Sequence, residues 1–347
     1  MHEAKTLEKI SHFTGTLQRR LTELRVVALG GGTGLPVVLR SLKGILFPPS
    51  SENFSEYDRD RLTAIVTVTD DGGSSGKLRR DFNILPPGDI RNCLSALSDN
   101  NTLSSDLFQY RFKKGDGLAG HSLGNLFLTA LTDLKGNFVK AIQCCSQIIG
   151  VKGQVLPFTS RNVMLVARFT DGWVIRGESA IARHKGSIRQ VFLNPPFPDP
   201  LPLAIDAIEK ADVIIIGPGS LYTSIIPNLL VKGIARVIKR SKAKKIYICN
   251  LMTEPGETDG YSATDHIMAI FDHTEYGFLQ HVILNKGNDS FGLQKTYMVQ
   301  GSYPVSYTIE EMRDLGLTSI VADVVSEKGN KIRHDEHKLG RLLMELI

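Results

Sequence analysis

The chain has 347 residues, 42% hydrophobic and 22% charged, a composition that builds a sizeable globular core and excludes a disordered polypeptide. Lys and Arg number 41 against 36 Asp and Glu, and a net charge of +5 is too small to argue for nucleic acid, although it suits an anionic small molecule. The 32 glycines exceed the roughly 7% of ordinary usage.

Residues 4–24 place Leu7, Ile10, Phe13, Leu17, Leu21 and Leu24 at helical spacing between charges, which predicts an amphipathic helical extension (residues 1–24) ahead of a single α/β domain over 25–347. The charges there do not suit a secretory signal, and no apolar run reaches membrane-spanning length. Cys93, Cys144, Cys145 and Cys249 show no CxxC spacing, so the expectation is a reduced, cytoplasmic protein. From Arg25 a short apolar run leads into a Gly-rich loop, and helical character resumes over Leu35 to Leu42. Residues 47–60 read as a polar linker, and Leu62 to Val68 as a second buried strand ending at Asp70 and Asp71. Helices are expected at 88–98, 103–112, 121–133 and 137–149. Over 154–193 short strands and turns suggest a small antiparallel insertion. The alternation of strand and helix then returns, with strands at 213–216, 245–249, 281–285 and 319–324 and a last helix from about 335. This order predicts a three-layer α/β/α, Rossmann-like fold with a doubly wound, mostly parallel sheet.

In such a sheet, ligands lie beyond the carboxyl ends of the strands. Four loops in that position carry small and polar residues. The first, Gly30-Gly31-Gly32-Thr33-Gly34, brings backbone N–H groups close to an anion at the start of a helix, with phosphate as the expected guest. It is neither a Walker A loop, since no GK[ST] follows, nor the dinucleotide fingerprint, since Leu35 stands where the third Gly belongs. The second, Asp70-Asp71-Gly72-Gly73-Ser74-Ser75-Gly76, offers carboxylates that hold a ribose hydroxyl, coordinate a divalent cation or cap a turn. Lys77, Arg79 and Arg80 follow, as a solvated face or as charge complement for phosphate. The third, Gly217-Pro218-Gly219-Ser220, repeats the strand, loop and helix logic, with Asn228 as a candidate for base or sugar. The fourth contains Asn250, Thr253, Glu254 and Glu257.

Asp89 and Asn92 sit near the start of the helix at 88–98, where Asp89 reads as a cap or a ligand group. Arg91 in the same turn opposes the helix dipole and needs an anionic partner. Gly120-His121-Ser122-Leu123-Gly124 matches the nucleophile elbow of serine hydrolases, but no strand precedes it. A second anion-binding helix start, with Ser122 and Asn125 facing the ligand, is the better reading, and His121 is either a base or structural. Asp259, Tyr261, Asp265 and His266 form either a metal site or a solvated face.

Taken in order, GGGTGLPVVLRSLK, VTDDGGSSGKLR, LPPGDIRNCLSALSD, GHSLGN, IGPGSLYTSIIPNLLV and CNLMTEPGETDGYSATDH closely resemble the YvcK family of gluconeogenesis factors, a branch of the superfamily containing the phospholactate transferase CofD. The resemblance runs from about Arg25 to the C-terminus and implies a CofD-like fold with a nucleotide-type ligand. It implies a regulator that binds a UDP-sugar such as UDP-N-acetylglucosamine and supports gluconeogenic growth, cell shape and cell-wall synthesis. The alternative it implies is a Mg²⁺-dependent transferase of the 2-phospho-L-lactate type, with Asp70 and Asp71 as candidate metal ligands. Val68-Thr69 departs from the transferase branch just before that Asp pair. By the same resemblance Thr33 and its loop hold the diphosphate, Asn228 the sugar or base, Tyr297 a ring and Arg333 a phosphate. The implied partners are a nucleotide diphosphate ligand, further copies of the chain and a regulatory protein.

Overall fold

The runs Val26–Gly30 (β1), Leu62–Val66 (β2) and, later, Val213–Ile216 (β7) are apolar and buried along their whole length, as strands covered by helices on both faces require. They form the centre of the sheet in the computed structural model, which describes residues 23–48, 56–98, 103–184, 186–287, 294–326 and 331–347. The expected helix at 4–24 lies outside the described residues, apart from residues 23 and 24.

Further strands are β3 (Gln154–Pro157), β4 (Met164–Phe169), β5 (Val174–Arg176), β6 (Ile188–Asn194), β8 (Lys244–Ile248), β9 (His281–Asn285) and β10 (Thr318–Ala322). The seven-stranded sheet has the order β10-β9-β8-β7-β1-β2-β3, and every neighbouring pair in it is parallel. With its flanking helices it is the expected three-layer α/β/α, doubly wound fold. The antiparallel excursion is a three-stranded sheet in the order β5-β4-β6, so it begins at Met164; Gln154–Pro157 pairs with β2 and completes the main sheet instead.

Helix Leu35–Leu46 leaves β1 and buries Leu35, Val38, Leu39 and Leu42 in the core. The last helix, Glu336–Leu346, crosses it where Gly340 meets Ser41, whose hydroxyl donates to Glu336 O at 2.7 Å. Helix Gly73–Phe82 was not legible, because its first turn is Gly-Ser-Ser-Gly, a run of poor helix formers. Burial of Ser74, Ser75, Gly76 and Leu78 shows that tertiary packing stabilises it.

The antiparallel sheet is tied over the carboxyl ends of the main strands at two points. Ser179 donates from its backbone N (2.8 Å) and its Oγ (2.6 Å) to Asp71 Oδ1, and Arg79 reaches Asn162 Oδ1 at 2.6 Å and the Val163 carbonyl. Ser179→Ala removes one charge-assisted hydrogen bond and should cost about 1.5–3 kcal/mol. Hydrogen exchange should accelerate over Met164–Asn194 while the amides of β1 and β7 keep their protection; unchanged exchange over Met164–Asn194 would contradict this tie.

Candidate functional site

Two loops meet where the chain order turns back at the middle of the sheet. After β1 the chain proceeds outward to β2 and β3, whereas β7 lies on the other side of β1 and leads to β8, β9 and β10. Strand ends diverge at such a switch point, and a crevice opens there. The crevice is a cavity of about 410 Å³, within the roughly 300–1,000 Å³ of small-molecule sites. Its lining includes Gly32, Thr33 and Gly34 after β1, Gly219 and Ser220 after β7, and Asn250 after β8. Tyr297 and Arg333 line it as well, although their own strand and helix lie far along the chain.

Glycine is demanded here by contact. A Cβ on Gly34 would stand 2.3 Å from the Pro218 carbonyl oxygen, and one on Gly31 would stand 2.5 Å from Thr67 Cγ2 and 2.8 Å from Asp89 Oδ2. Asn250 steadies the third loop, its Oδ1 accepting from Gly219 N at 3.3 Å. Tyr297 is half-buried, and its hydroxyl accepts from Ile332 N at 3.1 Å, which anchors the segment carrying the exposed Arg333. Asn228 lies beneath this surface. It is fully buried and donates from Nδ2 to Gly30 O (3.0 Å) and Ser224 O (2.8 Å), so it braces the end of β1 against the helical segment after β7.

The protein's own carboxylates fill some of the anion-binding positions. Asp89 Oδ2 accepts from Gly32 N at 2.7 Å, and the Glu257 carboxylate accepts from Tyr222 N (3.3 Å) and Thr223 Oγ1 (3.1 Å) at the helical start after β7. Burial raises Asp89 to about 6, with Asp70 adding to the rise and the Gly32 N–H opposing it. Burial also pushes up Glu254 and Glu257, and it pushes Glu178 well above the usual carboxylate range, with Asp70 and Asp89 repelling its charge. Asn92 Nδ2 donates to Gly32 O at 3.4 Å, and Arg91 Nη2 to Asn92 Oδ1 at 2.6 Å. Of the three cations after Asp71, Lys77 and Arg80 are exposed, and Arg79 is the one that faces Asp71, Asp70 and Glu178.

Among the described residues, no three His, Cys, Asp or Glu side chains converge to hold a metal by themselves. A Mg²⁺ ion usually needs only one or two carboxylates plus ligand phosphates and water. Asp70 fits that part: its Oδ1 accepts from Gly72 N at 2.8 Å, while Oδ2 takes no hydrogen bond among the described residues. Asp71 fits it less well, because Oδ1 is committed to Ser179 and Oδ2 lies against Gly177.

His121, Ser122 and Asn125 gather with Ser74 in a separate buried cluster. Ser74 Oγ lies 2.9 Å from His121 Nδ1 and accepts from Asn125 Nδ2 at 3.0 Å, and Ser122 Oγ caps helix Leu123–Lys135 by accepting from Asn125 N. No strand precedes Ser122, so the elbow reading has no structural support. Ser75 packs under Gly88, where a Cβ would stand 2.3 Å from its Oγ. Gly72 is the N-cap and Gly73 the first residue of the helix that carries Ser74 and Ser75, and Gly217 carries a φ of 80° at the turn out of β7. Asp265 and His266 do not form a metal site: Asp265 completes a capping box with Ser262, and His266 Nδ1 meets Ser262 O at 2.8 Å. Motif reading passed over two residues: Glu178, on the short helix Glu178–Ile181 between β5 and β6, where it faces Asp70 and Asp89, and His334, which lines the cleft and whose imidazole is lowered to about 4 by desolvation.

A doubly wound sheet with Gly-rich loops meeting at its switch point defines a Rossmann-like α/β protein with a candidate ligand cleft. The family model described as 2-phospho-L-lactate transferase CofD matches residues 26–325. The chain belongs to the CofD family, and to its branch of gluconeogenesis factors, as the ordered motifs implied. A gluconeogenesis factor of Bacillus subtilis is 47% identical over 323 residues, covering 93% of this chain and 98% of that one. A putative gluconeogenesis factor of Thermotoga maritima is 44% identical over 323 residues, covering 92% of this chain and 98% of that one. A crystal structure of a Bacillus halodurans protein is similar with a TM-score of 0.85 at 45% identity, covering 92% of this chain and 99% of that one.

The position of Asp89 gives a pH test. Its carboxyl titrates near 6 when folded and near 3.8 ordinarily, so the folded state binds the extra proton between those values and loses stability as pH rises through them. Asp89→Asn lacks this loss. Relative to wild type, the variant should gain up to about 3 kcal/mol between pH 4 and pH 7 in denaturant unfolding, at roughly 1.4 kcal/mol per pH unit. A difference independent of pH would contradict the assignment.

Proposed function

We propose that the chain is a cytoplasmic regulator that binds a uridine-diphosphate sugar such as UDP-N-acetylglucosamine, in support of gluconeogenic growth, cell shape and cell-wall synthesis. The observation that carries this reading is the composition of the switch-point cleft: phosphate-sized backbone loops at Gly32–Gly34 and Gly219–Ser220, with an aromatic ring at Tyr297 and a guanidinium at Arg333 in the same cavity. The loops suit a diphosphate, the ring suits a base or sugar face, and the guanidinium suits a phosphate oxygen. The physiological part rests on the naming of close relatives as gluconeogenesis factors. Among the described residues no single helix is long and apolar enough to cross a membrane, which accords with the cytoplasmic part.

A second reading, a transferase acting on a nucleotide-diphosphate-linked donor, is favoured by the unbonded Asp70 Oδ2 close to Asp89 and Glu178. Mg²⁺ held by Asp70 and the ligand's phosphates would neutralise charge on a leaving diphosphate. Calorimetric titration with uridine- and guanosine-diphosphate sugars, with and without Mg²⁺, followed by a turnover assay, separates the two. Tight uridine-sugar binding without turnover supports the regulator; turnover of a guanosine-linked donor supports the transferase. Thr33→Trp should abolish uridine-sugar binding with the melting temperature retained. Tyr297→Ala and Arg333→Ala should each weaken it about 10–100-fold, the usual worth of a stacked ring or a charge-assisted phosphate contact. Undiminished affinity in all three variants would remove the ligand from this cleft.

A further inference from the structure

Beside the nucleotide cleft lies a second cavity, of about 270 Å³, whose lining includes Thr33, Arg40, Arg91, Asn92, Ser95 and Arg333. It differs from its neighbour in chemistry. Three arginines line it, and neither a carboxylate nor an aromatic ring does, whereas the larger cleft is lined by Glu254 and Tyr297 as well as Arg333. No aromatic ring in the smaller cavity offers a stacking face to a base or sugar, and its charged lining is wholly cationic.

The cations are only partly compensated by the protein. Arg40 Nε is paired with Glu336 Oε2 at 2.6 Å. Arg91 Nη2 is used on the neutral Asn92, and its Nε is buried with no hydrogen-bond partner among the described residues. Arg111 repels the Arg91 charge, Asp89 attracts it from the sheet side, and the Asp89 oxygen nearest the loop is already taken by Gly32 N. Arg333 makes no side-chain hydrogen bond or ion pair among the described residues. Guanidiniums gathered this way, without a carboxylate lining the cavity, are stable when a multivalent anion completes them, and phosphate oxygens match their planar forks.

We propose that this cavity is a second anion subsite, which takes the phosphate group of a small molecule separate from the nucleotide ligand and bound at the same time. The proposal rests on the nucleotide-sugar reading only for the identity of the neighbour. Thr33, which is exposed, and Arg333 belong to both cavities, so the two occupants are adjacent. The same phosphate chemistry has another source, the diphosphate of the nucleotide sugar itself reaching across Thr33, and the experiment separates the two.

The whole chain is titrated calorimetrically with inorganic pyrophosphate in phosphate-free buffer, first alone and then with the cleft saturated by UDP-N-acetylglucosamine. The expected result is one pyrophosphate per chain that still binds under saturating nucleotide sugar, whatever further pyrophosphate the empty cleft takes in the first titration. Its affinity should fall at least tenfold in Arg91→Gln and in Ser95→Glu, with nucleotide-sugar affinity changed less than threefold. Ser95 is half-exposed on its helix and lines only the smaller of the two cavities, so Ser95→Glu keeps the test valid should Arg91→Gln fail to fold. Loss of pyrophosphate binding on saturation with the nucleotide sugar would assign the cavity to the nucleotide's own phosphates and overturn the proposal. Pyrophosphate binding unaffected by either variant, or absent altogether, would overturn it too. Should pyrophosphate bind and respond to Ser95→Glu while no nucleotide sugar binds, the anion subsite stands and the nucleotide-sugar reading falls.

Discussion

The contact between the loop after β1 and the loop after β7 is the constraint on which the site depends. Gly34 approaches the Pro218 carbonyl so closely that no side chain fits between them, and Gly31 is held as tightly by Thr67 and Asp89. Two parallel strands that lie side by side but send their chains to opposite sides of the sheet leave a wedge between their carboxyl ends. Backbone in direct contact at the bottom of that wedge fixes how far the two loops spread. Asn228 adds a brace from below, linking the end of β1 to the helical segment after β7 through both hydrogens of one amide group. The cleft is therefore a rigid consequence of strand order, lined by main chain more than by long side chains.

Around that cleft charge is sorted. Asp70, Asp89 and Glu178 cluster toward the antiparallel sheet, with Arg79 among them, whereas Arg40, Arg91 and Arg333 gather beyond Thr33. Burying like charges together is costly unless partners or ligands neutralise them. The acidic side can meet part of that cost by holding protons, at Glu178, whose carboxyl is raised well above the usual range, and at Asp89 only below about pH 6. The basic side has no such route, since a guanidinium does not give up its proton in the physiological range. The two sides thus make different demands, protons or a cation on one and an anion on the other.

Internal carboxylates also refine the meaning of a Gly-rich loop. The Gly32 N–H and the Tyr222 N–H already bind Asp89 and Glu257. The backbone that these carboxylates leave open lies in the remainder of the loops, around Thr33 and Gly219–Ser220. Thr33, the exposed residue of its loop, lines both cavities, whereas the half-buried Asp89 lines neither.

How far the sequence reached depends on the range of the interactions involved. Strand, loop and helix at 26–46, and the strand and loop at 213–220, were legible because apolar runs and small residues are local signals, and they were enough for the fold class and the family. Helix Gly73–Phe82 was not legible, since its Gly-Ser-Ser-Gly start is helical only when packed, and Gln154–Pro157 looked like part of the antiparallel region until pairing with β2 placed it in the main sheet. Glu178 carries no motif at all; it reaches the site because Ser179 bonds Asp71 more than a hundred residues away. By itself the sequence determined that Gly-rich loops follow particular strands, because backbone geometry near glycine is a property of neighbouring residues. Only the tertiary structure decided which loops share a cleft, which carboxylates occupy their amides and where three arginines meet, because those outcomes depend on strand order and on contacts between residues far apart in the chain.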